Sequence, residues 1–291
     1  MLDSRKAIVT GGSRGFGLEI AREFIREGSN VCICSRNEAE LKGAIESLKE
    51  YIVDDKQRIV YIKCDISDCS DIDRLYEFAY EELSGLDIVV NNAGIQGPIG
   101  EFDKKDWNEI IRVLNTNLIG TLYSIRKAVE VFKRQRSSSE QKEDKSIVNV
   151  SGGGATGCRP FFVGYAISKT GIVRATEIIA KEVEKHGIRV NAIAPGAMNT
   201  KMLEEIITAG NNAGDELDKA REQAINGGSS IENAAKCVAW LSSEKAVGIT
   251  GRLISAIWDD WENLNEHFDD IRDSDIFTLR RIIPKDKGFE W

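Results

Sequence analysis

Short, continuous apolar runs alternate along the chain with longer stretches in which apolar residues recur every third or fourth position. Lys6–Thr10 reads as a strand, and Leu18, Ile20, Ala21, Phe24 and Ile25 follow it at helical spacing. Further strands are expected at Asn30–Cys34, Arg58–Ile62, Leu86–Val90, Ser146–Val150, Ile188–Ile193 and Arg252–Ile257. Helices are expected over about 39–53, 71–84, 106–134 and 162–186. Strands that are apolar throughout are buried on both faces, the condition of a parallel sheet covered by crossover helices. The pattern therefore predicts an α/β fold, a doubly wound, seven-stranded parallel sheet with helices on both faces, in one domain over 1–257.

Three stretches break the rhythm. Ser137–Asp144 is polar, lacks apolar anchors and is expected to be a mobile surface loop. Residues 197–230, with Gly210, Gly214, Gly227 and Gly228 as break points, follow the sixth strand and are expected to form a substrate lid. Long insertions at the carboxyl ends of strands often carry ligand contacts. The last stretch, 258–291, carries Trp258, Trp261, Phe268, Phe277, Phe289 and Trp291. It is too aromatic for a disordered end and should pack on the domain or on a neighbouring subunit.

Composition narrows the function classes. The chain has 291 residues, 42% of them hydrophobic, and a net charge of −8 from 47 acidic and 39 basic residues. The longest basic run is Lys133–Arg136, which reads as a solvated helix end, so no nucleic-acid partner is expected. No run approaches the length of a membrane span, and the amino terminus lacks the apolar core of a signal peptide. The six cysteines (32, 34, 64, 69, 158 and 237) form no Cys-x-x-Cys pair. No metal is therefore expected, and reduced, mostly buried thiols in a cytoplasmic protein are the simplest reading.

After the first strand, Thr10-Gly11-Gly12-Ser13-Arg14-Gly15-Phe16-Gly17 leads directly into a helix. Glycines let a backbone turn tightly and approach a pyrophosphate, and the helix amino terminus offers free N–H groups and a positive dipole end. In this strand–turn–helix setting the run predicts a dinucleotide site. An acidic residue at the end of the second strand would bind the ribose 2′-hydroxyl of NAD, whereas this chain has Ser35-Arg36 there and Arg14 in the turn. Two guanidiniums suit a 2′-phosphate, the alternative being two solvated surface arginines.

The spacing Thr10-Gly11-xxx-Gly15-x-Gly17 resembles the TGxxxGxG signature of the short-chain dehydrogenase/reductase family. The likeness continues, in order, through Asp65 after the third strand, Asn91-Asn92-Ala93-Gly94, Asn117, Tyr165-Ala166-Ile167-Ser168-Lys169, and Pro195-Gly196 with Thr200. It covers roughly 5–257 and implies the single-domain Rossmann branch of the family, with hydride transfer between a nicotinamide cofactor and a carbonyl or secondary alcohol. The basic pair at Arg14 and Arg36 then looks like a preference for NADP(H) over NAD(H). By the same resemblance, Gly11, Ser13, Arg14, Gly15, Phe16, Gly17, Ser35 and Arg36 bind the cofactor, Asp65 and Ile66 lie by the adenine, and Asn92, Ala93 and Gly94 line it. Pro195, Gly196, Met198 and Thr200 lie towards the nicotinamide.

Tyr165 and Lys169 stand four apart on one helix, hence on one face. A phenol is a poor base near neutrality unless nearby positive charge favours the phenolate, and Lys169 can supply that charge. The resemblance makes Tyr165 the acid/base, gives Lys169 the ribose and the tuning of the phenol, and gives Asn117 the support of a proton-relay water. The family usually completes this set with a serine 13 residues before the tyrosine; here that position is Gly152. Three readings stand: Ser151 takes the role, a backbone N–H or Thr156 replaces it, or the protein binds cofactor with weak or no turnover in a sensing or assembly role. Arg159-Pro160-Phe161-Phe162 should wall the substrate pocket, the arginine meeting either an anionic substrate group or a structural partner. The mixed polarity of the lid (Lys201, Met202, Asn211, Asn212) favours a polar, sugar-derived keto substrate, with a 3-oxoacyl thioester as the alternative class. The helices over 106–134 and 162–186 resemble the family's subunit interface, so a homodimer or homotetramer is expected.

Overall fold

The computed structural model describes residues 1–137 and 144–291. β1 (Lys6–Thr10), α1 (Gly15–Arg26), β2 (Asn30–Ser35), α2 (Glu38–Lys49), β3 (Ile59–Lys63), α3 (Cys69–Leu83) and β4 (Ile88–Asn91) form the first half. The second half comprises α4 (Trp107–Leu114), α5 (Gly120–Ser137), β5 (Lys145–Val150), α6 (Val163–Val183), β6 (Ile188–Ala194), α7 (Lys201–Ala209), α8 (Glu216–Asn226), α9 (Ile231–Ser242), β7 (Leu253–Ser255) and α10 (Phe268–Arg272). Helix starts follow local chemistry: the side chains of Asn37, Asp68, Asp106 and Ser230 accept from free N–H groups at the heads of α2, α3, α4 and α9.

Among the described residues the strands form one parallel sheet in the order β3-β2-β1-β4-β5-β6-β7, covered on both faces as expected. Val9, Ile33, Val90 and Val148 face a core shared with Ile20, Phe24 and Val238; Ile8, Cys32, Val89 and Ile147 face the opposite one with Tyr76 and Phe132. The strand order reverses between β1 and β4, and the carboxyl ends of those strands flank the crevice where such sheets hold ligands. Thr10 stitches that crevice: its hydroxyl donates to Val90 O (3.3 Å) and accepts from the N–H groups of Asn92 (3.0 Å) and Ala93 (3.1 Å).

Several expected boundaries move. The helix expected over 106–134 is two helices joined by a π-turn at Asn115–Ile119. The chain passes so close to β3's exit there that a Cβ on Gly120 would stand 2.0 Å from Ile66 O. α2 ends at Lys49 rather than 53, because Gln57 holds the following turn by accepting from Val53 N and Asp54 N and donating to Ile25 O. β3 starts a residue later than expected and β7 is shorter, Leu253–Ser255, where the Asp259 carboxylate accepts from Ser255 N. Of the polar loop expected at 137–144, residues 138–143 lie outside those described.

The carboxy-terminal stretch packs on the sheet's edge. Trp261, Leu264 and Ile271 are buried, Trp261 meeting Trp240 edge to face at 6.3 Å, and Leu253 N donates to Phe277 O (2.8 Å). Arg252 donates to the carbonyls of Ser274 (3.0 Å), Ile276 (2.7 Å) and Ile271. Not all the aromatics follow: Trp258, Phe289 and Trp291 are exposed.

Candidate active site

α6 delivers Tyr165 and Lys169 from one face onto the carboxyl end of β5. Lys169 is 3% exposed, and its ammonium lies 5.5 Å from the Tyr165 ring centroid and donates to Val150 O (2.8 Å). An ammonium has three donors, so two are left for hydroxyl groups of a ligand. Asn117, brought in by the π-turn and fully buried, accepts from Ile95 N (2.8 Å) and donates to Ile95 O (2.9 Å) and Ser168 Oγ (3.2 Å). A Cβ on Gly94 would stand 3.2 Å from Asn117 Oδ1 and 3.7 Å from Lys169 Nζ, so these three residues share one floor. A π-turn at such a place fits the habit of these insertions to sit at functional sites.

The two side chains that could stand in for the serine differ in burial. Ser151 is buried, its N–H donates to Ile193 O (2.8 Å) and its hydroxyl has no partner among the described residues. Thr156 is exposed.

Burial acts on both titrating groups. It raises the Tyr165 phenol above its usual value and pushes Lys169 down to about 8. The cation that offsets the phenol's burial is Arg159, a partner that the sequence did not reveal. Arg159 stacks 3.9 Å from the Phe162 centroid and 5.4 Å from that of Tyr165. Its Nε and Nη2 grip both oxygens of Glu216 at the head of α8 (2.8 Å and 2.6 Å), so of the two partners anticipated for Arg159 the structure supplies the structural one.

The glycine turn has the shape a pyrophosphate needs. Gly11 and Gly15 take positive φ (67° and 54°), and a Cβ on Gly17 would lie 2.3 Å from Gly11 O. No side chain caps α1, whose first turn holds Gly15, Phe16 and Gly17, so its leading N–H groups are open to an anion. Thr200 leans over this turn, its Cγ2 3.8 Å from where a Gly15 Cβ would sit, and Pro195 and Met198 are buried behind it. Gly196 takes a φ of 90°, and a Cβ there would strike Ser229 and Ile257.

The two arginines expected at the ribose differ. Arg36, beside Ser35, is exposed with no partner among the described residues, whereas Arg14 pairs with Glu40 (3.1 Å), which also accepts from Ser13 Oγ (3.1 Å). Glu40 lies in the first turn of α2 and carried no signal in the sequence. Asp65 accepts from Ser67 N (3.0 Å) and Oγ (2.7 Å), holding the loop after β3, and Ile66 is buried next to it.

The segment over 197–230, expected to be a lid, is amphipathic. Leu203, Ile206 and Leu217 pack with Phe162 and Ile99, while Lys201, Asn211 and Asn212 face outward.

A family model described as short chain dehydrogenase matches residues 5–210. The 3beta-hydroxysteroid dehydrogenase 1 of Eggerthella lenta is 36% identical over 252 residues, 86% of this chain and 91% of that protein. Levodione reductase, at 23% identity, superposes with a TM-score of 0.78 over 91% of this chain and 99% of its own. The actinorhodin polyketide ketoreductase crystallised with NADPH is 25% identical, with a TM-score of 0.77 over 88% of this chain and 97% of its own. The glycine turn, the crevice between β1 and β4 and the tyrosine–lysine face of α6 thus belong to a chain that is a member of the short-chain dehydrogenase/reductase family, oxidoreductases that use nicotinamide cofactors.

Proposed function

We propose that this protein interconverts a ring ketone and the corresponding secondary alcohol with NADP(H), using Tyr165 as the acid/base. The observation that carries this is the convergence of Tyr165, Lys169, Asn117 and Gly94 at the mouth of the β1–β4 crevice. The nicotinamide, when bound, supplies or accepts the hydride. Tyr165 Oη gives its proton to the substrate oxygen in reduction and takes one in oxidation. Lys169 uses its two remaining donors on the nicotinamide ribose and stands 5.5 Å from the Tyr165 ring, while the charge of Arg159 offsets the burial of the phenol. Asn117 clamps both polar groups of Ile95, keeps that wall beside the ammonium and supports the relay water. Gly11, Gly15 and Gly17 seat the pyrophosphate, and the unpartnered Arg36 takes the 2′-phosphate.

The apolar inner face of the lid supports a compact alicyclic substrate, as does the likeness to a 3beta-hydroxysteroid dehydrogenase. A polar keto substrate is the second reading, favoured by Arg159 Nη1, which the Glu216 pair leaves unused.

The test incubates the purified protein with NADPH or NADH and a 3-ketosteroid, a cyclic diketone, a 3-oxoacyl thioester or a ketose. NADPH oxidation by a cyclic ketone, faster than that of NADH, is expected. Tyr165→Phe should lose ~10²–10⁴-fold in turnover while still binding NADPH by fluorescence. Cofactor binding without turnover on any member of the panel would move the protein to the sensing or assembly reading. Full activity in Tyr165→Phe would remove the acid/base assignment.

A further inference from the structure

The three glycines after Ser151 are not equivalent. Gly154 takes a φ of 90°, and a Cβ there would lie 2.7 Å from the Ala166 Cβ, so the backbone itself demands glycine. A Cβ on Gly153 would meet Arg159 Nη1 at 3.6 Å, an ordinary contact. Gly152 lies outside the left-handed region, so any residue could adopt its backbone. Yet a Cβ there would stand 2.6 Å from Tyr165 Oη, 3.4 Å from its Cζ and 3.5 Å from its Cε1. The close conflict is with the oxygen that carries the proton.

Tyr165 has little room to yield. Its ring is buried and flanked by Lys169 and by Arg159, which Glu216 holds in place. An oxygen and a carbon in contact lie ~3.5 Å apart, so any side chain at 152 would drive the phenol oxygen off by about 1 Å.

We propose that Gly152 is a positioning residue: the bare Cα at this position is the seat of the Tyr165 hydroxyl. Glycine is here a requirement of the site's geometry, not the gap left by a lost serine. This rests on Tyr165 as the acid/base. It follows that serine at 152 displaces the phenol instead of adding a second donor to the substrate oxygen.

Two experiments test it. Gly152→Ala, Gly152→Ser and Gly153→Ala are assayed with NADPH and the ketone turned over fastest by the wild type. Because displacement of a reacting group by 1 Å costs on the order of 10²-fold, both Gly152 variants should lose about that much kcat. Their NADPH Kd by fluorescence should stay within about threefold and Gly153→Ala within about twofold of wild-type turnover. The second experiment needs no substrate: melting temperatures are measured for Gly152→Ala, Tyr165→Phe and the double variant. Phenylalanine has no Oη to clash, so Gly152→Ala should lower the melting temperature in the wild type and lower it far less in the Tyr165→Phe background. Turnover in Gly152→Ser at or above the wild-type level overturns the proposal, as does a melting cycle without coupling. Loss of function in Tyr165→Phe alongside an uncoupled cycle sinks this inference alone, whereas full activity in Tyr165→Phe sinks the reading beneath it.

Discussion

Burial moves the two titrating members of the α6 pair in opposite directions, which fixes the pH range in which both carry their protons. Lys169 falls from 10.5 to about 8, and the Tyr165 phenol rises above 10.0, so the ammonium is lost first as pH increases. Since kcat/KM reports the free enzyme, kcat/KM for NADPH should fall about tenfold per pH unit above about 8. A profile flat to pH ~9.5 would mean that the ammonium is not used in binding the cofactor or tuning the phenol. The same shift has a stability consequence of definite sign. Between about 8 and 10.5 the unfolded chain holds a proton on this lysine that the folded chain has released, so this residue's contribution to stability rises with pH across that window. At this scale the sequence was informative wherever partners are close in the chain. Tyr165 and Lys169 are one helical turn apart, and the glycine turn is eight residues long. Arg159 and Glu216 are 57 residues apart, and Glu40 lies 26 from Arg14; nothing local announces either pairing.

Elements were legible in kind and order because buried parallel strands read as unbroken apolar runs, and less so in their ends. The helix expected over 106–134 hides its break, since a π-turn keeps helical periodicity to within one residue while swinging Asn117 inward. The segment over 197–230 shows a different limit. Its sequence mixes polar and apolar residues, and only the packed helices reveal that Leu203, Ile206 and Leu217 point at Phe162 while Lys201 and Asn212 do not. That segment is tied to the neighbourhood of Tyr165 by the pair between Glu216 at the head of α8 and Arg159. Hydrogen bonds to charged groups contribute roughly 1.5–3 kcal/mol, and this pair is largely shielded from water. Glu216→Gln keeps the shape and removes the charge. It should raise the substrate KM by about tenfold, the equivalent of ~1.4 kcal/mol, and speed proteolytic cleavage within 201–226. An unchanged KM with unchanged cleavage would show that the segment is held by its apolar face alone.

Viewed as a whole, the molecule covers one flank of its sheet and leaves a helical face bare. At the β7 edge the carboxy-terminal stretch supplies Phe277 O to Leu253 N, and Arg252 holds that stretch by three of its carbonyls, so the tail covers part of the edge. On α4, the π-turn and α6 the opposite holds: Trp107 is 61% exposed, Ile119 50%, Ile167 52% and Ile178 51%. Ile167 and Ile178 are eleven apart, about three helical turns, and so lie on one face of α6. Exposed apolar side chains repeated along one helix face are the raw material of an interaction surface. The same helices carry the resemblance to the family's subunit interface, so the occupant expected here is a second copy of this chain. Light scattering at micromolar concentration should then give at least a dimer. Ile167→Glu, and more strongly Ile167→Glu with Ile178→Glu, should shift the protein towards monomer by placing like charges across the two-fold-related face. Tyr165 and Lys169 sit on the same helix, so separation of the subunits should also lower kcat by loosening α6. A wild-type monomer at micromolar concentration would instead leave these side chains as an unpaired apolar face and withdraw the oligomer from the reading of the site.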